Sequence, residues 1–255
     1  MSDTAKDRPA HEAGVDPAAP DARERSAQRT ASGGFLGLVR ETVIVVVIAL
    51  ALSLLVKTFL AQAFFIPSQS MENTLLIGDR VIVSKATPGP FDLHRGQVIV
   101  FTDPGDWLGA DEVPPSTNPV RRGLAFVGLL PNDSNNHLIK RIIGLPGDHV
   151  AYDRDAEKAT VNGVAITEPY LKPGSIPSEK DFDVVVPAGK VWVMGDNRQE
   201  SEDSRYHDDG TGRTGSVPIS DVTGRAVAVV WPLSHASRLT EPSAVFAKVP
   251  AAGTK

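Results

Sequence analysis

Leu138-Ile139-Lys140-Arg141-Ile142-Ile143 sets two adjacent cations inside a run of large aliphatic side chains. Such a run reads as a β-strand. Side chains alternate between the faces of a strand, so Lys140 shares a face with Leu138 and Ile142, while Arg141 turns to the other beside Ile139 and Ile143. An amine held among aliphatic side chains is desolvated, which disfavours its charged form and makes lysine a usable base. Arg141 has no such option, because guanidinium keeps its proton. Taken alone, the run reads better as an edge strand carrying two solvated cations.

The same signals recur on both sides of it. Arg80–Ser84, Gln97–Phe101, Val184–Val186, Val191–Met194 and Ala226–Val230 are short β-branched runs punctuated by Gly and Pro. Asn162-Gly163 predicts a hairpin turn, and Pro146-Gly147 and Pro173-Gly174 mark two more turns. No long amphipathic helix interrupts this pattern after about residue 64, so the fold class is mainly β. Residues 104–136 lack periodicity and read as a loop insertion at the surface. The β-rich domain is expected over 63–240, with a C-terminal tail over 241–255.

Upstream, residues 1–34 hold almost no large apolar side chains and read as a disordered tail, since they bury too little surface to offset ordering entropy. Fourteen residues then follow without a charge, Val43 to Val56 (VIVVVIALALSLLV). As a helix they span ~21 Å, and extension through Lys57 to Leu60 reaches ~27 Å, close to a bilayer core of ~30 Å if the Lys57 amine snorkels. A transmembrane anchor over 35–62 is the first reading. Ala61-Gln62-Ala63 would suit a cleaved leader, but forty residues before the apolar run make an overlong n-region. A buried helix of a soluble domain would be apolar on one stripe, not all round. Arg23, Arg25, Arg29 and Arg40 precede the span, whereas Lys57 is the one cation between it and Arg80, which orients the tail to the cytoplasm and the rest outside.

A net charge of −5 over 255 residues argues against nucleic acid as a partner. Zero cysteines remove thiol nucleophiles, disulfides and cysteine zinc sites together. There is no G-x-S-x-G elbow, Walker loop or H-E-x-x-H, and the six histidines never fall at metal-ligand spacing, so neither a metal nor a cofactor is expected. Glu200, Glu202, Asp203, Asp208 and Asp209 lack the spacing of a calcium loop and read as a solvated turn. What remains is Phe64-Phe65-Ile66-Pro67-Ser68-Gln69-Ser70-Met71, directly after the apolar run. Pro67 biases Ile66 toward extended geometry, and Ser68 and Ser70 then project from one side. A nucleophilic serine needs a base, for which Lys140 is a candidate.

The order of these segments resembles the type I signal peptidases, membrane-anchored Ser/Lys proteases that remove signal peptides from exported proteins. Four stretches carry the resemblance: FFIPSQSMENTLLIGDRVIVSK at 64–85, RGQVIVF at 95–101, LIKRIIGLPGDHV at 138–150 and MGDNRQESEDSRYH at 194–207. With the anchor, the likeness runs from about residue 43 to the Trp231-Pro232 region. It implies an antiparallel β-sheet catalytic domain behind one N-terminal transmembrane helix. It also implies Ser70 as nucleophile and Lys140 as general base, with the Ser68 hydroxyl and the Ser70 N–H forming the oxyanion hole. Ser201 resembles a lysine-orienting serine, Asp203 and Arg205 a supporting pair, and Phe64, Ile66 and Leu75 the lining of small apolar substrate pockets. Cleavage after Ala-x-Ala-like sites follows from the same likeness. Gln69, Gln97 and His207 depart from the commoner Gly, Asp and Trp and bear on pocket shape rather than on the Ser/Lys pair.

The implied partners are exported preproteins and the lipid bilayer, and the implied location is the cell membrane, single-pass, with the catalytic domain outside. Two other functions remain open at this point. One is a self-cleaving Ser/Lys protease, although its relatives carry a helix-turn-helix domain where this chain has a polar tail. The other is a non-catalytic, membrane-tethered β scaffold that binds exported proteins.

Overall fold

The computed structural model describes residues 37–54, 60–105, 107–108 and 136–252. The tail read over 1–34, Lys57, and residues 106 and 109–135 of the expected loop lie outside the described residues. Gly37–Leu54 is a helix of 18 residues, ~27 Å long, with none of them buried. Among the described residues it is the one helix long and apolar enough to cross a membrane. Its Thr42 hydroxyl donates to the Leu38 carbonyl one turn back (2.9 Å), so this polar group is satisfied within the helix.

The remaining described residues build twelve strands: β1 Ala61–Phe65, β2 Arg80–Ser84, β3 Val98–Thr102, β4 His137–Gly144, β5 His149–Tyr152, β6 Thr160–Val161, β7 Val164–Ala165, β8 Phe182–Val185, β9 Lys190–Met194, β10 Val217–Pro218, β11 Val222–Trp231 and β12 Ser237–Arg238. Eight form one sheet in the order β1-β2-β11-β3-β4-β9-β10, with β12 on β11, and four form a second, β7-β6-β5-β8. The pairings are antiparallel, as expected.

Two expected limits are corrected. The anchor does not reach residue 62, because Ala61 and Gln62 already belong to β1, in register Ala61↔Ser84 and Gln62↔Val83. A partner strand satisfies backbone groups that a fraying helix end would leave open. At the other end, the segment read as a tail from 241 is packed through Val249: a one-turn helix, Ser243–Phe246, places Phe246, and with it Val249, in the cluster around Trp192. The Pro250 carbonyl accepts from Arg95 (3.1 Å) and Asn162 (3.0 Å), which closes this segment onto the sheets.

Strand β4 lies inside its sheet, between β3 and β9, so the edge-strand reading of its two cations does not hold. Leu138 and Ile142 pack with Ile99, Phe101, Val191 and Val193, and Ile139 packs with Val98, Val100, Val81 and Val83. Ile143 joins a third cluster, with Val150, Val184 and Trp192, that ties the small sheet to the large one. Each such side chain contributes about 1.5–3 kcal/mol on burial. That is enough, over four of them, to hold Lys140 and Arg141 away from water in the same strand. The β6–β7 turn has Asn162 at φ 50° and Gly163 at φ 76°, the two left-handed residues a two-residue hairpin requires.

Candidate active site

The segment after β1 is a loop tied at its neck, where the Ile66 N–H donates to the Asp79 carbonyl and the Gly78 N–H to the Ile66 carbonyl (2.9 Å each). Inside it the Glu72 N–H donates to the Gln69 carbonyl (3.0 Å), and the Thr74 and Leu75 N–H groups share the Met71 carbonyl. Met71 and Leu75 are fully buried and pin this turn to the sheet. Ser70 is thereby carried over β4, only 5% exposed, while Ser68 stays at the surface.

Lys140 Nζ donates to Ser70 Oγ at 2.7 Å. Burial holds the amine down at about 8; the Asp203 carboxylate pushes it back up, Arg205 lowers it again, and Asp196 and Glu202 raise it. Desolvation therefore wins over the surrounding charges, and at neutral pH the proton can leave this amine. In the neutral amine the contact runs the other way, with Ser70 O–H donating to Nζ. Ser68 Oγ lies 3.4 Å from Ser70 Oγ, the long end of a hydrogen bond.

Ser201 behaves differently from the expectation. Among the described residues its hydroxyl donates to Asp203 Oδ2 (2.8 Å), and Lys140 is hydrogen-bonded to Ser70 rather than to Ser201. A buried carboxylate is the stronger acceptor, so the Ser201 proton goes there. Asp203 and Arg205 form a two-pronged pair, Nε to Oδ1 at 2.8 Å and Nη2 to Oδ2 at 2.9 Å, buried on both sides. Asp203 also accepts from the Gly195 N–H (2.9 Å), and although burial works to raise it, Arg205 holds its carboxyl below the usual range. It is thus not part of a solvated turn, whereas Glu200, Glu202 and Asp209 are exposed, and among the described residues no acidic or histidine cluster could hold a metal. Asp208 shapes its own loop by accepting from the Gly210, Gly212 and Gly215 N–H groups.

Phe64, Ile66 and Leu75 are 5%, 2% and 0% exposed and pack with Val81, Val83 and Ile139. They form a floor under the Ser70 loop, not open walls, because strands this apolar bury their inward side chains against one another. His207 stacks flat on Trp107 (4.4 Å, 8°), and Trp107 meets Phe101 edge-on, so this one side chain of the expected surface loop is buried while Gly105 and Leu108 are exposed. Gln69 reaches Glu200 (3.0 Å), and Gln97 reaches Glu241 (2.7 Å).

Sequence reasoning missed three groups. Asp196 grips Arg141 with both oxygens (2.8 and 2.6 Å) and also accepts from Thr74, and Arg141 lies over the Tyr170 ring at 4.1 Å. Glu168 pairs with the buried Arg198. Asn197 holds the Ser70 loop: its backbone N–H donates to the Ser70 carbonyl (3.1 Å) and its side-chain amide to the Gln69 carbonyl (3.2 Å). Gly195 lets these segments meet, since a Cβ there would lie 2.3 Å from Ser201 Oγ and 2.5 Å from the Ser70 carbonyl oxygen. The signal for Asp196 was present in principle, because a buried arginine demands a carboxylate.

Comparison with known proteins shows the family. The family described as "Signal peptidase, peptidase S26" matches residues 39–231. The chain is 40% identical to the probable signal peptidase I of Mycobacterium leprae, covering 76% of this chain and 77% of that one. It is 38% identical to the signal peptidase I of Mycobacterium tuberculosis over 77% and 74%, and 31% identical to that of Leptolyngbya laminosa over 89% and 94%. On this match, which takes in β1 through β11 and both the Ser70 loop and β4, the chain belongs to the signal peptidase I family, the serine endopeptidases of peptidase S26.

Proposed function

We propose that this protein cuts signal peptides from exported preproteins as a membrane-tethered Ser/Lys endopeptidase. The observation that carries the reading is the 2.7 Å contact between Ser70 Oγ and a buried amine whose pKa has fallen to about 8. Neutral Lys140 takes the Ser70 proton as the oxygen attacks the scissile carbonyl, and returns it to the leaving amine. Water activated by the same amine then hydrolyses the acyl-enzyme, releasing the signal peptide and restoring Ser70. The Ser70 N–H and the Ser68 hydroxyl receive the oxyanion. Ser201, Asp203 and Arg205 support the site by fixing the segment that faces Lys140.

The Gly37–Leu54 helix supports the tethering, and the arginines before it support a cytoplasmic tail with the catalytic domain outside. The substrate's own apolar segment then shares the bilayer with the enzyme. The likeness to the family supports a preference for small residues at the −1 and −3 positions, with Phe64, Ile66 and Leu75 as a buried floor beneath the Ser70 loop. Preproteins changed at −1 from Ala to Val to Leu should lose processing steeply and in that order; equal cleavage of the Leu form refutes the preference.

The decisive experiment is cleavage of a purified preprotein by the wild type and by Ser70→Ala side by side. Loss of cleavage with retained folding supports the enzyme; full cleavage by Ser70→Ala moves the nucleophile elsewhere, and absence of cleavage by the wild type leaves the binding scaffold as the better reading. Self-cleavage at Ala61-Gln62-Ala63 has an obstacle in the pairing of those residues with β2.

A further inference from the structure

We infer that Asn197 is a positioning residue for the oxyanion hole, aiming the Ser70 N–H by holding the opposite end of the same peptide group. The inference rests on the reading of Ser70 as nucleophile. The Gln69 carbonyl and the Ser70 N–H belong to one peptide unit, and in a planar trans peptide they point in opposite directions. Whatever grips the carbonyl therefore sets where the N–H points. Two donors grip it, the Glu72 N–H at 3.0 Å from within the turn and Asn197 Nδ2 at 3.2 Å from across the site.

The Asn197 backbone N–H meanwhile holds the next carbonyl, that of Ser70, at 3.1 Å. One residue thus clamps the carbonyls on both sides of the Ser70 Cα. The end of the amide that faces Gln69 is fixed by chemistry, because a carbonyl oxygen only accepts and the Asn197 oxygen only accepts as well. Asn197 is buried, so the clamp works without competition from bulk water. The Ser70 N–H itself has no acceptor among the described residues, which leaves it available to a developing oxyanion. The turn bond from Glu72 fixes the loop's own shape, whereas Asn197 fixes that shape relative to the segment carrying Gly195 and Ser201.

Two variants test this in the full-length protein in detergent: Asn197→Ala removes the donor, and Asn197→Asp keeps the shape while turning an acceptor toward the Gln69 carbonyl. The probes are a peptide substrate with Ala at −3 and −1 and the aldehyde of the same acyl half, which Ser70 converts to a tetrahedral adduct. kcat should fall ~10–100-fold with KM within about twofold, since the interaction counts only once charge develops. The loss is smaller than the ~10²–10³ expected for Ser68→Ala, because Glu72 still holds the carbonyl. Affinity for the aldehyde should fall by the same factor as kcat. In Asn197→Ala the pH midpoint of kcat should stay where it is, because that change adds no titrating group; the carboxylate of Asn197→Asp raises the lysine by its own charge, so the midpoint is read on the alanine form.

An unchanged kcat, a rise in KM with kcat preserved, or a displaced pH midpoint in Asn197→Ala overturns the inference; the last would mean that Asn197 acts through Lys140. Should Asn197→Ala fail to fold, the isosteric Asn197→Asp decides by kcat, KM and aldehyde affinity at a pH above the lysine midpoint. Ser70→Ala is run in parallel: if it remains active, the nucleophile assignment fails by itself, whatever Asn197 does.

Discussion

Lys140 and Arg141 are neighbours in one interior strand, equally hidden from water, and they meet opposite fates on its two faces. On one face Lys140 has no carboxylate in salt-bridge contact among the described residues, and burial draws its pKa down. On the other, burial also works against the charge of Arg141, but Asp196 sits on the guanidinium and lifts its pKa above the usual value. The difference teaches how a fold separates a structural cation from a reactive one. Pairing makes a buried charge permanent, and withholding a close partner makes it negotiable.

The comparison breaks most sharply under exchange of the cations. Lys140→Arg should cost more than ~10³-fold in kcat although the charge is retained, because guanidinium does not give up its proton. Single-turnover cleavage measures this, and near-normal turnover by the arginine form would remove lysine from the base role.

Next in size are opposite effects on stability. Arg141→Met strands the Asp196 carboxylate in the interior and should cost about 3–5 kcal/mol in urea unfolding. Lys140→Met, equally inactive as an enzyme, should instead gain up to about 3 kcal/mol at pH 7, since the native state no longer has to bury an amine that water would protonate. The sign follows from proton counting. Between about pH 8 and the ordinary lysine value the unfolded chain binds more protons at Lys140 than the folded one, so wild-type stability from this group rises with pH across that window and the advantage of Lys140→Met shrinks. Equal signs for the two methionine variants would erase the distinction between the faces.

A finer test is the pH profile. With a base near 8, about one-tenth of the free enzyme holds neutral Lys140 at pH 7 and about nine-tenths at pH 9, so kcat/KM should climb about tenfold per unit below the midpoint and level off above it. A flat profile from pH 6 to 9 would contradict the depressed amine. The smallest effect belongs to the exposed pair Arg154 and Asp181, 3.3 Å apart at the surface: Arg154→Ala should change stability by no more than ~0.5 kcal/mol and leave turnover alone.

Much of β4 was legible because strand alternation is a local rule: the sequence alone put Lys140 with Leu138 and Ile142, and the packing clusters divide the same way. The Asn162-Gly163 turn was legible for a similar reason, since its two residues carry their own backbone preference. What escaped depended on partners far along the chain. Asp196 stands 55 residues from Arg141, and nothing near either residue names the other. Ser201 was expected at the lysine, but its proton goes to a strong acceptor, the buried Asp203 carboxylate. β1 was hidden because Ala61-Gln62-Ala63 has little strand character of its own and pairs only because β2 is available, and the packing of Phe246 and Val249 was masked by the polar residues around them.

The pairing of Ala61-Gln62-Ala63 with β2 has a consequence for what counts as a substrate. This tripeptide has the small-x-small pattern proposed as the cleavage signal, yet its main chain is committed to a sheet and cannot be drawn out into a cleft without dismantling two strands. A peptidase that must receive its substrate extended therefore consults more than the letters of the signal: it also asks whether that stretch has already folded. Exported proteins that contain small-x-small triplets in their finished domains would be spared by their own architecture. Only the stretch between a membrane-bound leader and a domain still to fold stays open to cutting. Folding state would then be a second proofreading step, acting in time as the proposed preference for small side chains acts in space.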